Sequence, residues 1–393
     1  TGGLNGYRWY YYAMGMDKVW NYSEDKLSNL STVKVAVIDS GLYKKHSYLN
    51  NILTGYNIQD ESNNVTDIVG HGTAVAGIIG ADNNEEVKMR GFAPNVEILP
   101  IKMTDNISMI STEQMKNAIN YANNEHPDII NMSFATNDGK DNYPYTPAEK
   151  YPNVSQSIKN AYNNGIVLVG AVGNTGEHPY AYKVGYPAYD SRVIGVGGIM
   201  GGNQRYDSSC YGEGLDFVAP ATNINTTYLE GEGKYNSPSY ANMMGTSFAT
   251  PVITGISAII KGQNPTYNTD DVRNLMKEYS FDMGDTGKDD YFGYGLPNAY
   301  HLINEIKPSD IKVFIGQSIE NTAIKKLSDL YNVNSSDNNL SSKGDYDFNT
   351  TISTKEYQTF FWVDVDDDNS ITAGDYFGDK GNFEIIKRDI TLQ

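Results

Sequence analysis

From Val33 to Pro308 the chain alternates short apolar runs with stretches of helical period, and few architectures accommodate that pattern. The runs are Val33–Ile38, Val96–Ile101, Ile129–Met132, Ile166–Val172 and Val193–Gly197; stretches such as Thr112–Ala122 and Val154–Tyr162 lie between them. A strand that is apolar on both faces must be covered on both faces, which a parallel sheet with crossover helices achieves. The alternation therefore predicts an α/β fold, a doubly wound and mostly parallel sheet with helices on both faces. Ligands of such sheets bind beyond the carboxyl ends of the strands. Asp39, Ser133 and Asn174 each sit just past the end of a predicted strand.

After Pro308 the character changes. Asn332–Asn349 is rich in Asn, Ser and Asp and reads as a long loop or linker. Beyond it, Gln358–Val363 is an apolar, aromatic strand candidate. The chain is expected to divide into one large domain over residues 1–307 and a small, mostly β domain over residues 308–393. No repeat of fixed period is present.

Composition narrows the function. With 393 residues, 39% of them hydrophobic, a sizeable core is feasible. A net charge of −18 leaves no spare cations to displace counterions from phosphates, so nucleic acid is not an expected partner. The acidity suits a soluble extracellular protein and leaves carboxylates for calcium, although solubility alone accounts for it as well. The single cysteine, Cys210, excludes an intrachain disulfide and any zinc site built on two thiolates of this chain. No segment reaches the roughly 18 apolar residues that span a bilayer. No basic-then-apolar leader follows Thr1, so in a secreted or cell-surface protein the signal and any pro-segment are expected to have been cut off already.

Three short segments carry chemistry. Val35-Ala36-Val37-Ile38-Asp39-Ser40-Gly41 places a carboxylate at the end of a buried strand. His71-Gly72-Thr73-Ala74-Val75-Ala76-Gly77 follows a His with small residues that let a helix start close to its neighbours. Gly245-Thr246-Ser247-Phe248-Ala249-Thr250-Pro251 leads into an apolar helix to about Lys261, so the Ser247 hydroxyl meets a helix N-terminus, where a developing anion is favoured. Each alone has an ordinary structural explanation: a turn former, a surface His, an N-cap. Together, in the order Asp, His, Ser, they match one convergent form of the catalytic triad.

With these boxes the sequence resembles the subtilisin-like serine proteases over roughly residues 4–306. The resemblance also rests on Val167-Leu168-Val169-Gly170-Ala171-Val172-Gly173-Asn174, Asn131-Met132-Ser133-Phe134, Gly185-Tyr186-Pro187, Leu215-Asp216-Phe217-Val218-Ala219-Pro220 and Tyr294-Gly295-Leu296-Pro297-Asn298-Ala299. It implies a subtilisin-like catalytic domain with Ser247 as nucleophile, His71 as general base, Asp39 as the carboxylate that orients it, and an oxyanion held by the Asn174 side chain and the Ser247 N–H. It implies further that Ser133, Phe134, Ala135, Ala171, Val172, Gly173 and Gly185 wall the pocket for the P1 side chain, with Gly185 leaving the floor open and Ala135 narrowing one wall. An apolar P1 residue such as Leu, Met or Phe is then expected, with Met115 and Phe134 forming a second apolar pocket. The sequence departs from many relatives at Tyr48 and in the length of the loop Ala81–Val87, which argues against their high-affinity calcium site, and at Ala74 and Phe248.

The segment from Asp364 to Asp375 fits a twelve-position calcium loop, with carboxylates from Asp364, Asp366, Asp368 and Asp375 at positions 1, 3, 5 and 12. Ser370 stands among them as a further ligand. It resembles EF-hand-like and dockerin-type loops, although an acidic solvated turn between two strands fits the same residues. No organic cofactor is implied. The rival to an active endopeptidase is a protease fold reduced to a scaffold or adhesion module, but Asp39, His71, Asn174 and Ser247 are all intact. An ester hydrolase fits less well, because Asn131–Phe134 suits pairing with an extended peptide. Substrate and a cleaved pro-segment are the expected partners; accessory subunits are left open.

Overall fold

A computed structural model describes residues 9–83, 89–93, 95–136, 147–179, 182–202, 204–230 and 239–305, and the backbone of five strands beyond them. In chain order the elements are α1 (Trp9–Ala13), α2 (Met16–Tyr22), α3 (Glu24–Ser28), β1 (Val33–Asp39), β2 (Tyr56–Asn57), α4 (His71–Gly80), β3 (Val96–Lys102), α5 (Thr112–Asn124) and β4 (Ile129–Met132). They continue with α6 (Pro147–Lys150), α7 (Pro152–Asn163), β5 (Val167–Ala171), β6 (Ile194–Met200), β7 (Gln204–Arg205), β8 (Phe217–Pro220), β9 (Ile224–Thr227) and β10 (Tyr240–Met243). The helix α8 (Thr246–Gln263), then α9 (Thr269–Glu278), β11 (Ser280–Phe281), β12 (Leu296–Pro297) and α10 (Ala299–Asn304) follow.

One sheet organises residues 33–220. Its order is β2-β3-β1-β4-β5-β6-β7, with β8 also paired to β6. Every pairing is parallel except β6 with β7. This is the mostly parallel α/β architecture that the alternation predicts. The reason is visible along β1, where Val33, Val35 and Val37 enter one core and Ala36 and Ile38 the other. The first core takes Val75 and Ile79 of α4 with Val252 and Ile256 of α8. The second takes Met115 and Ile119 of α5 with Val154 and Ile158 of α7. With helices on both faces, the strand stays apolar from Val35 to Ile38 and turns polar only where it ends, at Asp39. Each such Val or Ile contributes about 1.5–3 kcal/mol by leaving water.

The tail holds β13 (Lys312–Ile319), β14 (Tyr331–Ser335), β15 (Tyr357–Asp364), β16 (Tyr376–Asp379) and β17 (Asn382–Ile385). They form an antiparallel sheet in the order β14-β13-β15-β16-β17. The strand expected at Gln358–Val363 is β15. The start of the segment read as a linker, Asn332–Ser335, is instead part of β14, paired to β13. Backbone pairing makes that strand in a stretch whose one apolar residue is Val333.

The amino-terminal helices pack back on α10, where the Ala299 N–H donates to the Met14 carbonyl at 2.8 Å. His301 of α10 is 3% exposed, edge-on to Phe281, and its Nδ1 has no partner among the described residues. Burial, with the Lys18 charge adding to it, pushes its pKa from the ordinary 6.5 to about 3. Between those values the unfolded chain binds the proton and the folded chain does not, so stability falls as pH drops through that window. Melting curves from pH 7 to 3 are expected to be flatter for His301→Gln than for the parent. Parallel curves would show that His301 does not drive the acid sensitivity.

Candidate active site

Asp39 is the last residue of β1 and 3% exposed. Its Oδ1 accepts from the Ser40 N–H at 2.7 Å and from His71 Nδ1 at 2.8 Å. Facing a carboxylate acceptor, Nδ1 carries the proton, which leaves Nε2 as the basic nitrogen. His71 opens α4, and Gly72 explains how that helix comes so near. A Cβ on Gly72 would lie 2.2 Å from the Gly41 carbonyl oxygen and 3.1 Å from the Asp39 Cβ. Phe248 covers the imidazole at a ring separation of 5.1 Å.

A second carboxylate stands behind the pair. Asp67 is 3% exposed. Its Oδ1 accepts from Ser40 Oγ and from the Val69 and Gly70 N–H groups, and its Oδ2 from the Thr73 N–H and Oγ1, at 2.7–3.0 Å. The charge is stabilised by donors at the start of α4. Ser40 Oγ also accepts from the Gly72 N–H at 2.9 Å, which ties the end of β1 to the first turn of α4. Burial pulls the His71 pKa down, but the Asp39 charge and hydrogen bond and the Asp67 charge outweigh it, and the imidazole titrates above its ordinary 6.5.

Ser247 is the second residue of α8. The residue before the helix, Gly245, has φ 127°, a backbone that an L side chain rarely adopts. Pro251 withholds the N–H that the Ser247 carbonyl would otherwise receive within the helix. Asn174 follows β5. Its Oδ1 accepts from the Thr246 N–H at 2.8 Å and from Thr246 Oγ1 at 3.1 Å. The acceptor end of the amide is thus spent on α8, and the Nδ2 hydrogens have no partner among the described residues.

Asp39, His71, Asn174 and Ser247 line one cavity of about 210 Å³, with Ser133, Phe134, Ala135, Ala171 and Gly173 on its walls. Three other expected substrate residues lie elsewhere. Met115 is 1% exposed inside the core beneath, and Val172 is 0% exposed. Gly185 does not line the cavity, and a Cβ built on it would lie 2.5 Å from the Thr136 carbonyl oxygen and 2.9 Å from the Ala135 Cβ. The Thr136 N–H donates to the Tyr186 carbonyl at 2.8 Å and the Gly185 N–H to the Val172 carbonyl at 2.8 Å, so these segments close on each other. Gly185, expected as an open floor, packs against Ala135 and Thr136 on the side its Cβ would occupy.

The sequence reading missed Met103, Thr104, Ile107, Ser108 and Ile110, which line the cavity from the loop after β3, and also Thr175 and Thr246. Their position past the carboxyl end of a strand is the signal that would have found them. Asp67, four residues before His71, carries the weaker signal of an acidic residue just before a helix. Among the described residues no group of three or more His, Cys, Asp or Glu gathers to hold a metal. Of the expected calcium ligands, Asp364 ends β15, while Asp366, Asp368, Ser370 and Asp375 lie outside the described residues.

The profile of the Subtilase family matches residues 31–295. The chain is 34% identical over 267 residues to the alkaline elastase YaB of Bacillus sp. (strain YaB), covering 68% of this chain and 63% of that protein. It is 32% identical over 269 residues to subtilisin DY of Bacillus licheniformis, covering 68% of this chain and 90% of that one. The chain spans less than two thirds of the length of the first curated relatives it matches. Among solved structures, that of a lanthipeptide protease superposes with a TM-score of 0.65 at 24% identity, covering 77% of this chain and 96% of that one. The likeness at that identity is one of fold.

The two buried carboxylates make a prediction for the imidazole. The charged form is favoured by Asp39 and Asp67, so His71 is expected to titrate above the ordinary histidine value, and Asp67→Asn, which removes one negative charge, to lower the midpoint. Ring NMR of His71 across pH reads both. A midpoint that does not move in Asp67→Asn would show that the Asp67 charge does not reach the imidazole.

Proposed function

The chain belongs to the subtilase family, and from that premise we propose that it is a secreted serine endopeptidase working through Asp39, His71 and Ser247. The hydrogen bond from His71 Nδ1 to Asp39 Oδ1, at the cavity that Ser247 and Asn174 also line, is the observation that carries this reading. His71 Nε2 takes the Ser247 proton as Oγ bonds to the scissile carbonyl carbon. The oxyanion that forms is held by Asn174 Nδ2 and the Ser247 N–H at the start of α8. His71 then gives the proton to the leaving nitrogen as the C–N bond breaks, and a water repeats the sequence to release the acid. Asp39 stays ionised throughout and holds the ring in the tautomer with the proton on Nδ1.

Specificity follows from the walls. Ser133–Ala135, Ala171 and Gly173 border the cavity, and the Ala135 methyl with the Thr136 carbonyl packs against Gly185. This supports an apolar P1 residue, with Leu and Met entering more easily than Phe, and an Ala135→Gly variant shifted toward Phe. Secretion is supported by the extracellular relative named for that property, the minor extracellular protease Epr of Bacillus subtilis (strain 168), 34% identical over 264 residues. No helix among the described residues is long and apolar enough to cross a membrane. A pro-segment, removed from the mature enzyme, belongs to the same reading.

The tail is read as a separate unit over residues 308–393 that holds calcium in the loop from Asp364 to Asp375. That loop joins β15 to β16, which are antiparallel neighbours. Clustered carboxylates repel one another without a cation, and this supports an ion there. Chelation is expected to lower the melting temperature and added calcium to restore it; an unchanged melting temperature would count against the ion.

Cleavage of a peptide library by the parent, with Ser247→Ala beside it, tests the activity. Cuts after Leu and Met, absent in Ser247→Ala, are expected. Asn174→Ala should lose about 10²–10³ in kcat, a magnitude taken from subtilisin itself. Cuts that persist in Ser247→Ala would overturn the nucleophile, and preferred cuts after Lys or Arg would overturn the pocket.

A further inference from the structure

The nucleophile and the segment that pairs with substrate sit on different elements, α8 and the end of β4. A peptide reacts only if the two are held in register. A buried chain of side chains joins them. Thr254 Oγ1 donates to Asn131 Oδ1 at 2.8 Å, and Asn131 Nδ2 donates to Ser133 Oγ at 2.9 Å. Thr254 and Asn131 are 0% exposed and Ser133 2%.

Two features set this chain apart from ordinary core polarity. The first is direction. Thr250 Oγ1 and Ser257 Oγ, also buried on α8, donate back to the carbonyls of Thr246 and Ile253 four residues earlier, as such hydroxyls do in helices. Thr254 turns instead to another element. The second is placement. Thr254 lies seven residues after Ser247, about two turns, and so on the same face of α8. Along β4, Ile129 enters the core that contains α8, while Ile130 and Met132 enter the other, which puts Asn131 on the α8 side. An amide buried there is costly unless both its ends are satisfied. Thr254 holds the oxygen end, so the nitrogen end is aimed at Ser133, which lines the cavity together with Ser247.

We propose that Thr254 and Asn131 are positioning residues that, through Ser133, hold the substrate-pairing segment Ser133–Ala135 in register with Ser247. The inference rests on the reading of Ser247 as the nucleophile of a peptidase. Neither residue touches the triad in the contacts described above, so their loss should spare the reactivity of Ser247 and harm only substrates that pair with the segment.

The test compares the parent with Thr254→Val, which keeps the shape and loses the donor, and Thr254→Ser, which keeps the donor. Two rates are read: kcat/KM on an extended peptide, and sulfonylation of Ser247 by phenylmethanesulfonyl fluoride, which has no backbone to pair. Thr254→Val is expected to lower kcat/KM by up to about a hundredfold, the loss that a 1 Å misplacement can cause, with sulfonylation near the parent rate. Thr254→Ser is expected to stay near the parent in both. Asn131→Leu, which keeps the approximate shape and removes both the acceptor for Thr254 and the donor to Ser133, should show the same split and serves if Thr254→Val does not fold. Peptide and sulfonylation rates that fall together, or a Thr254→Val equal to the parent on peptide, would overturn the proposal. A parent with neither reaction would overturn the peptidase reading itself and the proposal with it.

Discussion

The hydrogen bond between His71 and Asp39 is made between two side chains that are almost wholly removed from water. A buried carboxylate persists only where donors replace its hydration. Here the Ser40 N–H and His71 Nδ1 do so for Asp39, and the first turn of α4 does so for Asp67. The pair needs β1 to end at Asp39 and α4 to begin at His71 within contact of each other. The close approach of Gly72 to Gly41 is what brings the two ends together. Much of the remaining architecture serves to hold those ends still.

The division between elements is orderly. Strand ends supply Asp39, Ser133 and Asn174, while helix N-termini supply His71 and Ser247. The parallel sheet gathers its carboxyl ends on one edge, and the connections bring helix starts to the same edge. Asn174 bridges the two kinds of end, because its oxygen is bound to Thr246 at the start of α8. Thr254 and Asn131 make a similar bridge deeper in the same helix.

Most of the sheet was legible because its strands are buried on both faces, which leaves runs such as Val33–Ile38 and Ile129–Met132 that differ from their observed bounds by a residue or less. Asp39, His71 and Ser247 drew notice for a related reason, since polar residues beside apolar runs stand out. What could not be read was pairing. The two-residue strands β2 and β7 have no pattern of their own, and β9 with β10 pairs polar residues such as Asn225 and Asn242. Met115 illustrates the same limit at the site: an apolar residue at helical period is core or pocket depending on a rotation that the sequence does not record, and it is core. At Gly185 the sequence showed only a glycine, while its close neighbour there, the Thr136 carbonyl, is backbone and leaves no mark in a sequence.

The assignment of Ser247 is tested most directly by treating the folded chain with a fluorophosphonate and mapping the adduct by mass spectrometry. A nucleophile activated by His71 should take one phosphonyl group on Ser247, and Asp39→Asn, which leaves the imidazole without its orienting carboxylate, should slow the labelling steeply. An adduct on another residue, or none on a chain shown to be folded, would contradict the triad on which the whole reading stands.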